Sequence, residues 1–161
     1  MEKLNHSLKT GLAFGLTSGV ITTLGLIVGL NSSTHSKAVV LSGILVIAIA
    51  DAMSDAFGIH MSEESANKYT GSSIRLATIT TFLAKFIFAS TFIVPILLFD
   101  LSIAVIVSII WGFFLLGIFS YFVSNKQTKP WHAVIEHLTT ALLVIVATYY
   151  VGQIIGNLFK V

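Results

Sequence analysis

The chain has 161 residues, of which 55% are hydrophobic and only 10% charged, and its mean hydropathy is +0.94. A soluble domain usually carries about 25% charged residues, so the composition excludes an ordinary soluble enzyme, a disordered protein and a nucleic-acid binder. The net charge is only +2, and the lack of cysteine excludes disulfides, cysteine–zinc sites and iron–sulfur clusters. These features indicate an integral membrane protein, and we expect the lipid bilayer to be one of its partners.

Five apolar segments are long enough to cross a bilayer, which takes about 20 residues in a helix. None shows the alternation of an outer-membrane barrel strand. The sequence therefore predicts an all-α bundle of five transmembrane helices that forms a single domain over residues 1–161. The predicted helices cover residues 8–30, 38–59, 74–98, 101–123 and 131–158.

The distribution of lysine and arginine predicts the orientation, because cytoplasmic loops carry an excess of both. Six lie on one predicted side of the bundle, namely Lys3, Lys9, Lys68, Arg75, Lys126 and Lys129. Only Lys37 and Lys160 lie on the other side. We expect a cytoplasmic N-terminus and an external C-terminus, in the cell membrane if the source is prokaryotic.

The first helix carries a glycine strip, Gly11, Gly15 and Gly19, at four-residue spacing. Such a strip lets another backbone approach closely. The partner is either a helix of the same chain or a second copy of it. We predict that the strip packs a homodimer. The Ser and Thr residues on this helix, Ser18 and Thr22 among them, are expected to bond back to their own backbone.

The second helix places Asp51 and Asp55 one turn apart on one face. An aspartate deep in a bilayer costs at least about 2.5 kcal/mol, and two on one face repel unless a cation or proton joins them. Carboxylate oxygens suit a divalent cation, and Met53 adds a thioether on a neighbouring face. The alternative is a structural pair that is bonded to the hydroxyls of the first helix.

Two further ionisable residues fall inside predicted helices, Lys85 in the third and Glu136 in the fifth. Lys85 either pairs with the acids structurally or competes with a substrate cation for them. Glu136 is a candidate relay carboxylate near the interface. Residues 60–73 are interpreted as a solvated connector in which Gly71 ends a helical extension and Ser72 or Ser73 caps the third helix.

The first two helices together resemble the vacuolar iron transporter family. The family's first helix reads Asp-Gly-x-x-Thr-Thr, and residues 18–29 here read SGVITTLGLIVG. Its second helix reads Ala-Asp-Gly-x-Ser-Met with a Ser-rich ending, and residues 50–65 here read ADAMSDAFGIHMSEES. Three positions depart from the pattern: Ser18 replaces the family's Asp, Asp55 replaces its Met, and the Glu-rich cytosolic segment is reduced to a connector with Glu63 and Glu64.

The resemblance implies a homodimer that exports iron or manganese from the cytosol in exchange for protons. Asp51 and Asp55 are then the metal ligands and proton-exchange groups, Met53, Ser18 and Thr22 further donors, and Glu136 a relay. Replacement of Met by Asp shifts the site towards harder ions such as manganese. No permanently bound cofactor and no enzymatic activity are expected. The alternative is a non-transporting structural or regulatory membrane subunit, in which Lys85 neutralises the acids.

Overall fold

The computed structural model describes residues 2–123 and 130–159, and within them it is helical with no strand. Seven α-helices occur there: α1 (Glu2–Thr34), α2 (Lys37–Val46), α3 (Ala52–Ser65), α4 (Gly71–Thr91), α5 (Ile93–Leu98), α6 (Leu101–Val123) and α7 (Pro130–Phe159). A π-helical segment, Ile47–Asp51, joins α2 to α3.

These elements form five spans, each long and apolar enough to cross a membrane, which confirms the predicted all-α, five-span architecture. The first span is α1, the fourth is α6 and the fifth is α7. The second span is Lys37–Ser65, and the third, Gly71–Leu98, is interrupted at Phe92, one turn before Pro95. Proline supplies no N–H to the helix ladder, so a break at this point is expected.

The first span lies at the centre of the bundle. Its side chains at helical spacing, Leu16, Val20, Leu24 and Ile27, are fully buried in the hydrophobic core. Glycine residues on the first span allow two neighbouring spans to approach it closely. On one side the third span contacts the glycine strip, and on the other the fifth span packs Thr148 against Gly29.

The polar connector between the second and third spans is shorter than predicted. The second span remains helical to Ser65, and Asn67 then adopts a positive φ of 53°. Gly71 begins α4 rather than ending a helix, and Thr70 rather than Ser72 or Ser73 is the N-cap, since its Oγ1 accepts from the Ser73 N–H. The connector interpretation is therefore corrected, because Glu63 is buried and extends the packed part of the helix.

Candidate charge cluster within the membrane-spanning helices

Lys85 joins the two aspartates of the second span in one charge cluster. Its Nζ lies 2.5 Å from Asp55 Oδ2, to which it donates a hydrogen bond, and 2.9 Å from Ser18 Oγ. Ser18 Oγ in turn donates to Asp55 Oδ2 at 2.6 Å. The cluster, defined as Ser18, Asp51, Asp55 and Lys85, thus connects the first three spans.

The lysine side chain is fully buried, with 0% of its surface exposed. Its stem runs beside Gly19, where a Cβ would lie 3.2 Å from both Lys85 Cα and Lys85 Cγ. The absence of a side chain at Gly19 therefore leaves the room in which the lysine extends. A buried ammonium at this depth is stable only with partners of opposite charge, and the cluster provides two.

The two carboxylates hold Lys85 in different ways. Asp51 Oδ2 also lies 2.5 Å from Nζ and forms a close ion pair with it. Asp51 is the more open of the two, with 35% of its side chain exposed against 22% for Asp55. Asp55 is therefore fixed by Ser18 as well as by the ammonium, whereas Asp51 contacts the ammonium and keeps an accessible side.

Asp51 ends the π-helical segment of the second span. The extra residue in a π-turn changes the direction in which the following side chains point, and such turns occur frequently at functional sites. No proline lies in the sequence of this segment, IAIAD, so nothing in the residue types predicts it. Its position places the irregular backbone directly at the more exposed carboxylate.

In their ordinary ionised forms, two carboxylates and one ammonium leave the cluster with one uncompensated negative charge. A net charge inside a membrane-spanning bundle is costly unless a further positive charge accompanies it. The cluster is therefore chemically able to exchange one positively charged species for another, with Lys85 as its internal cation.

The remaining predicted site residues lie outside these contacts. Thr22 Oγ1 donates to the backbone carbonyl of Ser18 at 2.8 Å, as expected for a hydroxyl in a membrane helix. Met53 is 45% exposed on the outer face of the second span, and Glu136 is exposed on the fifth. In the described ranges no three His, Asp or Glu side chains are grouped closely enough to hold a metal by themselves.

The glycine strip has its partner within the chain. A Cβ at Gly15 would lie 2.5 Å from the Thr81 carbonyl oxygen and 2.9 Å from Ala84 Cβ. Gly11 meets Ala77 and Gly19 meets Lys85 in the same way. The role of Gly11, Gly15 and Gly19 as the seam of a homodimer is thereby corrected, because the third span already covers this surface.

One polar contact of the structure has no counterpart in the sequence predictions, and one acid lies in a different setting from the predicted one. His137 Nδ1 lies 2.7 Å from Ser120 Oγ beside a cavity of about 100 Å³ that Thr17 also lines. Glu63 is buried although it stands in a stretch of polar residues that resembles a loop.

Comparisons with known proteins add no relative. The chain matches no family model, no curated protein and no solved structure. The likeness to the vacuolar iron transporter family therefore stays a prediction from the motifs of the first two helices.

Proposed function

We propose that this chain is a membrane transporter that exports a divalent metal, iron or manganese, from the cytosol in exchange for protons. The observation that carries the proposal is the charge cluster, in which Lys85 bridges Asp51 and Asp55. Ionisable groups inside membrane helices are expensive to maintain, and their default interpretation is a substrate or proton pathway.

In this proposal Lys85 occupies the carboxylates when no metal is bound. An arriving divalent cation competes for Asp51 and Asp55, whose hard oxygens suit manganese, and Ser18 adds a neutral oxygen. The divalent cation first contacts the exposed side of Asp51. Because the same carboxylates accept either a proton or a metal, the two fluxes are coupled through one site.

The proposal keeps only part of the predicted set of metal ligands, and it keeps the predicted homodimer. Met53 and Glu136 are not part of the resting cluster, so they act only if the helices rearrange or a second copy approaches. We retain a homodimer as part of the proposal, and its interface uses a face other than the glycine strip. The orientation with a cytoplasmic N-terminus is retained on the lysine and arginine distribution.

A second candidate function is favoured by one observation. Lys85 is fully buried and contacts both acids, which is also the arrangement expected of a permanent structural ion pair. In that case the chain is a non-transporting structural or regulatory membrane subunit. The two candidates differ in whether the Lys85 ammonium is displaced during function.

Metal flux into proteoliposomes, with and without a pH gradient, tests the proposal. We expect the parent protein to move manganese faster when the gradient is imposed, and Asp55→Asn to reduce this flux at least tenfold. Asp100→Asn is the matched control, since Asp100 is exposed between α5 and α6, and it should retain the parent rate. If the parent carries no manganese or iron under either condition, the structural candidate replaces the transporter.

A further inference from the structure

His60 carries an imidazole ring whose hydrogen bonding is defined by its neighbour on the third span. The residue lies in the last two turns of α3, and its Nδ1 is 3.0 Å from Thr78 Oγ1 on α4. The Thr78 hydroxyl has a single proton, which it donates to the Ile74 carbonyl oxygen at 2.9 Å. Towards the ring this hydroxyl is therefore an acceptor, and His60 Nδ1 carries the hydrogen that it accepts.

This hydrogen bond also determines the state of the other ring nitrogen. In a neutral imidazole one nitrogen is a donor and the other an acceptor, so Nε2 of His60 carries a lone pair. Nε2 lies 3.9 Å from Oε2 of Glu64, which is one helical turn further along α3. An ionised carboxylate only accepts hydrogen bonds, so two electron-rich atoms face each other. A positive species between them removes their repulsion.

The distance between Nε2 and Oε2 favours a metal over a shared proton. A charge-assisted N–H···O hydrogen bond spans about 2.7–2.9 Å, well below the observed 3.9 Å. A zinc–nitrogen and a zinc–oxygen bond, each about 2.1 Å, separate their ligand atoms by about 3.3 Å at a tetrahedral angle and by about 4.2 Å in a straight line. The observed gap falls within this range.

His60 and Glu64 also have the surroundings of a pair of metal ligands. Imidazole nitrogen suits zinc and iron, and two ligands at i and i+4 lie on one helix face, as in helical zinc sites. A ligating histidine usually donates its other N–H to a neighbouring group, which here is Thr78. The His60 side chain is 33% exposed and that of Glu64 64%, so ions in water reach both. A second partner on the other Glu64 oxygen still leaves Oε2 beside the ring.

We propose that His60 Nε2 and the Glu64 carboxylate bind a transition-metal dication of borderline softness, for which zinc is the probe. Two protein ligands leave the other coordination positions to water, so binding is weak and reversible. The single uncompensated positive charge is tolerated because the site is exposed to solvent. The site lies five residues from Asp55, about 7.5 Å along the helix, and uses no residue of the charge cluster. It holds whether or not the cluster transports a metal.

Nitrogen NMR of the protein with isotope-labelled histidine, in lipid nanodiscs at neutral pH, tests the site directly. The signals of His60 are assigned with His60→Gln. Without metal we expect Nδ1 to carry a proton and Nε2 to carry none, and zinc should shift the Nε2 signal in a saturable manner while Nδ1 stays protonated. An Nε2 signal that millimolar zinc leaves unchanged overturns the proposal. A ring that stays protonated on both nitrogens also overturns it, since the positive species is then a proton.

The same titration, monitored at the His60 signals, tests the partners of the ring. Glu64→Gln should weaken zinc binding at least tenfold, because an amide is a poorer ligand than a carboxylate. Thr78→Val should weaken it about tenfold through loss of the orienting hydroxyl, and Thr78→Ser should keep the parent affinity. His35→Asn is the control, since His35 is exposed before the opposite end of the second span and asparagine tolerates its φ of 49°. Equal zinc affinities of Glu64→Gln and the parent would exclude Glu64 as a ligand and overturn the proposal.

Discussion

Ser18 occupies a position where one hydroxyl serves two charged partners. It donates to Asp55 Oδ2 and accepts from Lys85 Nζ, so it fixes the relative position of the acid and the base. Both acids of the cluster stand on the second span, and Lys85 lies between them.

Ser18→Ala removes both of these hydrogen bonds and leaves the charges in place. Hydrogen bonds between membrane helices contribute about 0.6 to 1.7 kcal/mol each, so we expect a loss of about 1 to 3 kcal/mol in stability. Unfolding in detergent mixtures measures it. Thr17→Val is the control, because the Thr17 hydroxyl bonds to its own backbone at Ala13. Equal stabilities of the two variants would show that Ser18 does not contribute to the cluster.

At the scale of the helices, glycine determines how closely the first and third spans approach. Gly15→Ala would place a methyl group 2.5 Å from the Thr81 carbonyl oxygen, so the backbones must separate. We expect a loss of about 1 to 3 kcal/mol, the usual cost of overpacking. Unfolding of the purified protein measures this loss.

Gly58→Ala is the matched control, since a Cβ there meets nothing within 4 Å. Alanine is the better helix former, so this variant should be as stable as the parent or more stable. A Gly15→Ala protein that unfolds like the parent but no longer associates would restore the glycine strip as the contact between copies.

The spans were predictable because the bilayer alone sets the requirement for about 20 apolar residues in a helix that crosses it. The contacts and the burial of single side chains were not predictable, since they depend on which helices pack together. Small residues at Gly15 indicate close approach but do not specify which helix approaches. Glu63 has the polarity of a loop residue, and only packing shows that it is buried. The π-helical turn before Asp51 has no known residue signature, so the sequence could pair Asp51 and Asp55 but could not show how they are presented.

For the whole molecule, the decisive quantity is the charge balance inside the five-span bundle. Asp51, Asp55 and Lys85 together leave one negative charge uncompensated, and burial of Lys85 couples the third span to the second. Sequence alone indicated that Lys85 and the acids were candidates for pairing, and it left competition with a metal open. The structure shows the pair formed, so the question becomes whether the ammonium can be displaced.

The most direct test is calorimetric titration of manganese into the parent and into Lys85→Met. Lys37→Met is the control, since Lys37 begins the second span and donates to the Leu97 and Phe99 carbonyls rather than to the acids. Removal of the internal cation leaves two facing carboxylates, which only a cation or protons can neutralise. We expect Lys85→Met to bind manganese at least tenfold more tightly than the parent, and manganese to restore its stability. A Lys85→Met protein that is destabilised and binds no manganese would contradict it, and Lys85 would then be a permanent structural partner of Asp51 and Asp55.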